Sequence, residues 1–344
     1  MESPKFLNRY NAVENDELPA CFKVTKHISV EFDQNASLEE LWNVHDMEME
    51  NYRRAFKEVN SGVRSQELPE AEYSLLDLKI AIADKILQHC HFCERRCGVN
   101  RKEGEVGYCR LGETSRYASE FLHMGEEPEL VPSHTIFLTG CVFSCVYCQN
   151  WDISTRPESG VVIDTQKIGR LIDMRRSMGA RNVNFVTPTP HPHTILKIIN
   201  EVSVNTPVVW NSNMYHSWEI GKLLEGVIDV YLADFRYGND ECAKRYSNAK
   251  DYMRVVERNF ETAYRQAEII LRQLVIPGHV ECCTRPIAEW TAAHIPKVRF
   301  NLMFQYAPYY RAVEFPQINR YLTLKERERA TQIVQDSGLE DVLV

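Results

Sequence analysis

Two periodicities divide the chain. Up to about residue 89, apolar positions recur at helical spacing among many charges. In SLEELWNVHDMEMENYRRAFKEV, Ser37 and Glu40 make the pattern of a capping box, which satisfies the free N–H groups of a first turn, so a helix opens there. Leu38, Leu41, Val44, Met47 and Met49 fall roughly on one stripe of that helix and are expected to pack. A second helix, YSLLDLKIAIADKILQHC, runs straight into a cysteine-rich stretch.

From about residue 134 the pattern changes. Short β-branched runs read as strands: TIFLTG (135–140), NVNFVTP (182–188), TPVVWNS (206–212), VIDVYLADF (227–235), IILRQLVIPG (269–278) and VRFNLMFQY (298–306). Between them lie helical segments such as DTQKIGRLIDMRRSMGA, HPHTILKIINEV, SWEIGKLLEG and YMRVVERNFETAYRQAE. Strand and helix alternating in this way imply an α/β fold with a parallel sheet, either an open doubly wound sheet or a partial barrel. Three zones are expected: a helical extension (1–89), a cysteine-rich metal-binding segment (90–130), and the α/β unit with a C-terminal cover (131–344).

Composition narrows the class. The 344 residues, 44% apolar and 26% charged, are those of a globular chain with a sizeable core. A net charge of −8 argues against a nucleic-acid backbone or an anionic membrane as the main partner. No apolar run approaches a membrane span and the N-terminus has no secretory h-region, so a cytoplasmic protein is expected. In such a compartment, eleven cysteines point to metal binding before disulfides.

Seven of them fall in two clusters. GCVFSCVYCQN carries Cys141, Cys145 and Cys148 on the loop after the first strand of the α/β unit. Thiolates are soft ligands suited to zinc or iron–sulfur clusters. A closed zinc site wants four ligands, whereas three cysteines can hold one face of a [4Fe–4S] cube and leave its fourth iron open to a substrate or cofactor. The second cluster, Cys90, Cys93, Cys97 and Cys109, offers four thiolates and suits either a zinc ion or a fully ligated auxiliary iron–sulfur cluster.

The spacing Cys141-x3-Cys145-x2-Cys148, with Tyr147 before the last cysteine, resembles the signature of the radical S-adenosylmethionine (SAM) superfamily. NVNFVTPTPHPHTI, TPVVWNSNMYHSWE, IDVYLADFRYGNDECAKRYSNAKDYM, LRQLVIPGH and NLMFQYAPYYRAVEFPQINRYLT extend the resemblance, over roughly residues 88–340, to proteins similar to pyruvate formate-lyase-activating enzyme. It implies a partial (β/α)6 radical SAM barrel. It also implies a [4Fe–4S] cluster whose open iron binds SAM, one-electron reductive cleavage to methionine and a 5′-deoxyadenosyl radical, and hydrogen abstraction from a substrate. A glycyl-radical activase is one version of that activity.

Several residues take implied SAM-binding roles. Where activating enzymes carry a Gly-Gly-Glu-Pro turn for the SAM amino group, this chain has Thr187-Pro188-Thr189-Pro190; the threonine oxygens remain as acceptors but the carboxylate is missing. Asn211 and Ser212 stand where activating enzymes have an Asp-Thr-Asn-Gly type run. Asp234 is matched to a ribose hydroxyl or buried cation, Arg236 to a SAM or substrate carboxylate, and Arg272 to a SAM contact. A low-potential flavodoxin- or ferredoxin-like electron donor is implied as partner, with a protein or peptide among the possible substrates. The alternative from another class is a non-catalytic iron–sulfur or zinc scaffold or electron carrier. His191 and His193 read as loop histidines, Cys282-Cys283 as ordinary, and Cys21 and Cys242 as isolated and inert. The aromatic run FQYAPYY reads as packing.

Overall fold

The computed structural model describes residues 5–62 and 68–344; residues 1–4 and 63–67 of the expected helical extension lie outside the described residues. In chain order the elements are α1 (Asn8–Glu14), α2 (Cys21–His27), α3 (Leu38–Asn60), α4 (Leu75–Ile86), β1 (Arg116–His123), β2 (Ser133–Leu138), α5 (Trp151–Thr155), β3 (Val161–Val162), α6 (Thr165–Ser177), β4 (Asn182–Val186), α7 (Pro192–Asn200) and β5 (Val208–Ser212). There follow α8 (Trp218–Leu224), β6 (Val230–Asp234), α9 (Asp240–Ser247), α10 (Tyr252–Gln266), β7 (Glu268–Leu274), α11 (Arg285–His294), β8 (Arg299–Met303), α12 (Leu324–Asp336) and β9 (Val342–Leu343).

The strands form one sheet in the order β3-β1-β2-β4-β5-β6-β7-β8-β9, parallel from β2 to β9 and antiparallel at β1 and β3. The order is linear, so the sheet does not close, and the architecture is an unclosed α/β barrel. Each of the six expected strands is present, because β-branched and apolar runs buried on both faces suit a parallel sheet covered by crossover helices. Pairing sets their carboxyl ends in a row, with Phe137 beside Val186, Val186 beside Asn211, Ser212 beside Ala233, and Asp234 beside Arg272.

Sequence reading leaves out β1. The residues RYASEFLH are only partly buried and carry no clean alternation, and the strand bulges between Tyr117 and Ser119. The cysteine-rich segment thereby contributes a strand to the sheet, covering the β2 edge.

The N-terminal helices share the sheet's core. Capping boxes at Ser37/Glu40 and Ser74/Asp77 open α3 and α4. Leu41 and Met49 of the expected stripe are buried, Leu38 and Val44 pack partly, and Met47 is exposed. At the amino ends of the strands, Leu7 and Tyr10 join Val209, Val230, Leu232 and Ile270 in one apolar plug. The plug is pinned by charge: Arg9 Nη1 donates to Asp229 Oδ1 at 2.7 Å, and the N–H groups of Arg9 and Tyr10 donate to the Glu268 carboxylate at 2.9 and 2.7 Å. Asp229 also accepts from the N–H groups of Cys21 and Val208. The extension therefore stoppers the end of the barrel opposite the cysteine loop. Among the described residues, no helix is long and apolar enough to cross a membrane.

Removing the buried Asp229 carboxylate strands Arg9 and two backbone donors. We expect Asp229→Ala to cost about 3–5 kcal/mol of stability, read as a fall in the urea midpoint; an unchanged midpoint would show that the stopper contributes nothing.

Candidate cofactor site at the carboxyl edge of the sheet

After β2 the chain turns at Gly140, whose φ of +77° suits glycine. A Cβ there would stand 2.8 Å from Leu111 Cδ1 and 3.0 Å from the Cys109 carbonyl oxygen, so no larger residue fits against the cysteine-rich segment. The following loop is held on both sides. Ser144 and Val146 donate their N–H groups to the carbonyls of Ser247 and Tyr246 at the end of α9, at 3.1 and 2.9 Å. From the other side, Arg95 Nε donates to the Val142 carbonyl at 3.0 Å, and the hydroxyls of Tyr108 and Ser144 meet at 2.7 Å.

Each thiol of this loop has a donor beside it. The Phe143 N–H lies 3.4 Å from Cys141 Sγ and Asn213 Nδ2 lies 4.0 Å from it. The Ser247 hydroxyl donates to Cys145 Sγ at 2.9 Å, and Ser154 Oγ lies 3.8 Å from Cys148 Sγ. Burial, and then the neighbouring Cys145, push the Cys141 thiol up to about 12, and burial first of all raises Cys148. Cys141 and Cys148 therefore stay protonated unless a bound cation compensates their charge.

All three thiols open onto a cavity of about 430 Å³, and Thr187, Thr189, Asn211, Ser212, Asp234, Arg236 and Arg272 line it as well. These residues come from four consecutive strand ends, so the row set up by the pairing register becomes the cavity wall. Thr187 adopts a φ of +60°, and its N–H donates to the Asn211 carbonyl at 3.0 Å. Arg236 Nη2 pairs with Asp234 Oδ2 at 2.5 Å, while its Nε is buried without a partner.

Arg272, expected as a SAM contact, lines the cavity and is itself held by two carboxylates. Its Nε and Nη2 hold both oxygens of Glu127 at 2.7 and 2.6 Å, and Nη2 also pairs with Glu126. Asn301 Nδ2 donates to Glu127 at 2.7 Å, and Asn184 Nδ2 donates to Glu126 at 3.0 Å. Burial opposes the charge on Glu127, but Arg272 outweighs it and holds the carboxyl below its ordinary range. Glu126 lines the same cavity as Thr187. Sequence reasoning missed this pair, which sits in the β1–β2 connection ahead of the first expected strand; the only local signal was an unusual density of acids in GEEPE.

The second cysteine cluster leans on the first. Cys93 bridges backbone to backbone with His216 after β5, and Arg101, fully buried, places Nη1 3.9 Å from Cys90 Sγ while donating to the Pro190 carbonyl at 2.9 Å. A Cβ on Gly107 would reach to 2.6 Å from Cys97 Sγ. Glycine there keeps space beside that sulfur, and Cys109 is buried next to the Gly140 turn.

The histidines at the end of β4 are structural. His191 is fully buried between the Ser115 hydroxyl and the Thr139 carbonyl, both at 2.8 Å, and burial lowers it to about 3, so it stays neutral. His193 stacks on Phe92 and contacts the Glu113 carbonyl. In the expected aromatic run, Gln305, Tyr306 and Ala307 border the cavity. Burial raises the Cys21 thiol and leaves it inert, as expected of it; Cys242, also expected to be isolated, instead meets His279 and Cys282.

Residues 135–291 match the family model described as radical SAM superfamily. The chain is also 44% identical over 343 residues to the uncharacterized protein MJ0674 of Methanocaldococcus jannaschii, spanning 97% of this chain and 98% of the relative. The chain carries a radical SAM superfamily domain. A solved structure, that of HydG, a maturase of the [FeFe]-hydrogenase, aligns with 99% of this chain and 67% of its own, at 11% identity and a TM-score of 0.43. A radical SAM domain implies a [4Fe–4S] cluster and SAM. The residues present fit both: three thiols on one loop, with no further cysteine on the cavity wall among the described residues, face a polar-walled space. Arg236, whose Nε is buried without a hydrogen-bond partner, lines the same cavity.

Because the Glu127 carboxyl is depressed by folding, its contribution to stability is complete above the ordinary glutamate pKa of about 4.3 and is lost as pH falls through the lower folded value. Glu127→Ala, which leaves Arg272 Nε and Asn301 Nδ2 without their acceptor, should cost roughly 3–5 kcal/mol at neutral pH. The deficit should shrink in acid. Urea titrations of both proteins at pH 7 and pH 3.5 test this, and a pH-independent deficit would contradict it.

Proposed function

We propose that this protein cleaves SAM reductively and uses the resulting radical to take hydrogen from an organic substrate. The observation that carries this reading is the convergence, on one cavity, of a three-cysteine loop and the polar ends of four neighbouring strands. When bound, the [4Fe–4S] cluster supplies the electron that breaks the carbon–sulfur bond of SAM.

Within this reading, Cys141, Cys145 and Cys148 hold the cluster. The hydrogen bond from Ser247 and the contacts from Phe143 and Asn213 to the sulfurs temper the negative charge that reduction adds. Thr187 and Thr189 offer oxygen acceptors to the SAM amino group, and Glu126 supplies in the same cavity the carboxylate that their turn lacks. Arg272 then positions Glu126 and Glu127, and does not itself serve as the main SAM contact. Arg236 meets a carboxylate through its unpartnered Nε, Asp234 keeps that arginine in place, and Asn211 and Ser212 present amide and hydroxyl groups to the ribose and amino-acid parts of SAM. Cys90, Cys93, Cys97 and Cys109 hold a second metal centre, zinc or iron–sulfur, against the back of the cysteine loop. A low-potential flavodoxin- or ferredoxin-like protein delivers the electron. The hydrogen donor is a protein, a peptide or a small molecule, and a glycyl-radical enzyme is one member of that set.

Anaerobic reconstitution, reduction and addition of SAM should yield 5′-deoxyadenosine from the wild type and none from Cys145→Ala. Glu126→Gln should keep its cluster while binding SAM roughly tenfold more weakly, the cost of one charged hydrogen bond. No product, together with an electron paramagnetic resonance signal that SAM leaves unchanged, would instead identify a non-catalytic electron carrier or scaffold.

A further inference from the structure

Away from the cavity, α9 and the turn after β7 bring together a second set of soft donors. One ligand atom each from Cys242, His279 and Cys282 lies within 4.8 Å of the other two. Cys242 stands about forty residues ahead of His279 and Cys282, so the sequence does not announce the group. Cys242 sits in the first turn of α9, His279 follows Pro277-Gly278, and Cys282 and Cys283 lie on a π-helical turn, Val280–Thr284. Cys283 is buried next to Cys282 on the same turn, close to this group but outside the three atoms that lie within 4.8 Å of one another. Two sulfurs and one imidazole thus share one small volume, with a third cysteine adjoining it.

We propose that Cys242, His279, Cys282 and Cys283 bind a structural zinc ion. A Cys3His set is a closed tetrahedral zinc site; zinc–ligand distances of about 2.0–2.3 Å place ligand atoms roughly 3.5 Å apart, a small contraction for Cys242, His279 and Cys282, with the adjoining Cys283 turning in as the fourth ligand. The surroundings fix the donors. His279 Nδ1 lies 2.7 Å from the Pro277 carbonyl, which can only accept, so Nδ1 carries the proton and the Nε2 lone pair is free to ligate. Asn239 joins both elements: its side chain accepts from the Cys242 N–H at 2.8 Å and donates to the Cys282 carbonyl at 2.8 Å. Gly238 permits the close approach, since a Cβ there would meet the Cys282 carbonyl oxygen and the Cys283 Cα at 2.8 Å. The Tyr246 ring presents its edge to His279 at a centroid distance of 5.0 Å, closing one side.

The location gives the ion a purpose. Tyr246 and Ser247, at the other end of α9, accept the backbone bonds of the cysteine loop, and the Ser247 hydroxyl reaches Cys145. A zinc ion at Cys242 ties the start of that short helix to the β7–α11 connection and so steadies the support of the thiol loop from behind. The site is independent of the four-cysteine cluster, whose ligands belong to residues 90–109.

The test is the metal content of the anaerobically purified holoprotein, by plasma mass spectrometry, for wild type, Cys242→Ser and His279→Gln. Each variant should lose one zinc per chain relative to wild type, with iron unchanged; a zinc-free wild type, or equal zinc in all three, overturns the proposal. Should the variants not fold, alkylation of native wild type decides. Cys282 is exposed and a free thiol there would react at once. It should resist iodoacetamide until a zinc chelator is added. Immediate labelling overturns the site, and so does protection that yields only to a reductant, which would mean a disulfide.

Discussion

Placing three thiols side by side away from water is unfavourable as soon as they ionise, and the architecture around residues 139–148 answers that constraint. Burial, and then the neighbouring Cys145, raise the Cys141 and Cys148 thiols. The loop therefore has to be held by something other than its own charges until a metal supplies the compensation. Backbone bonds to the end of α9 on one side, and Arg95, Tyr108 and the Gly140 turn on the other, provide that hold. Donors from Ser247, Asn213 and Phe143 meet the sulfurs, so even the metal-free loop is shaped for negative charge.

The two ends of the sheet do different work. At the carboxyl ends, polar residues from consecutive strands face one cavity, and two buried carboxylates from the β1–β2 connection are anchored there by Arg272. At the amino ends, Leu7, Tyr10, Arg9 and Asp229 make an apolar and ionic stopper. An unclosed barrel would otherwise admit water from below; the helical extension removes that route and leaves the cavity to be entered from the side that carries the chemistry.

What could be read from the sequence was what local pattern controls. Six β-branched runs became six strands, because strands covered on both faces leave no choice of composition. The Ser37/Glu40 capping box formed as written. The three-cysteine loop falls at the carboxyl edge of the sheet, and the residues matched at the strand ends all reach the same wall. Long-range pairings were not legible. Glu127 meets Arg272 across 145 positions, and Cys242 meets His279 only through the fold. Met47 sat on the right stripe but faces water, since the stripe drifts around a helix of 23 residues while its partner surface does not. The β1 strand escaped notice because its half-exposed residues carry no period to detect.

The stopper at the foot of the barrel has a consequence for how the chain is made. Its partners arrive late: Asp229 and Glu268 receive Arg9 and Tyr10, and Asp341 accepts from the Lys5 N–H at 2.8 Å. A ribosome adding about 5–20 residues per second emits the helices of the extension many seconds before the surface they seal exists. During that interval their apolar faces are uncovered, and the oxygen-sensitive thiol loop is synthesised before the body that shelters it. Chaperone cover during translation, and metal loading only after release, are the order of events that this wiring favours.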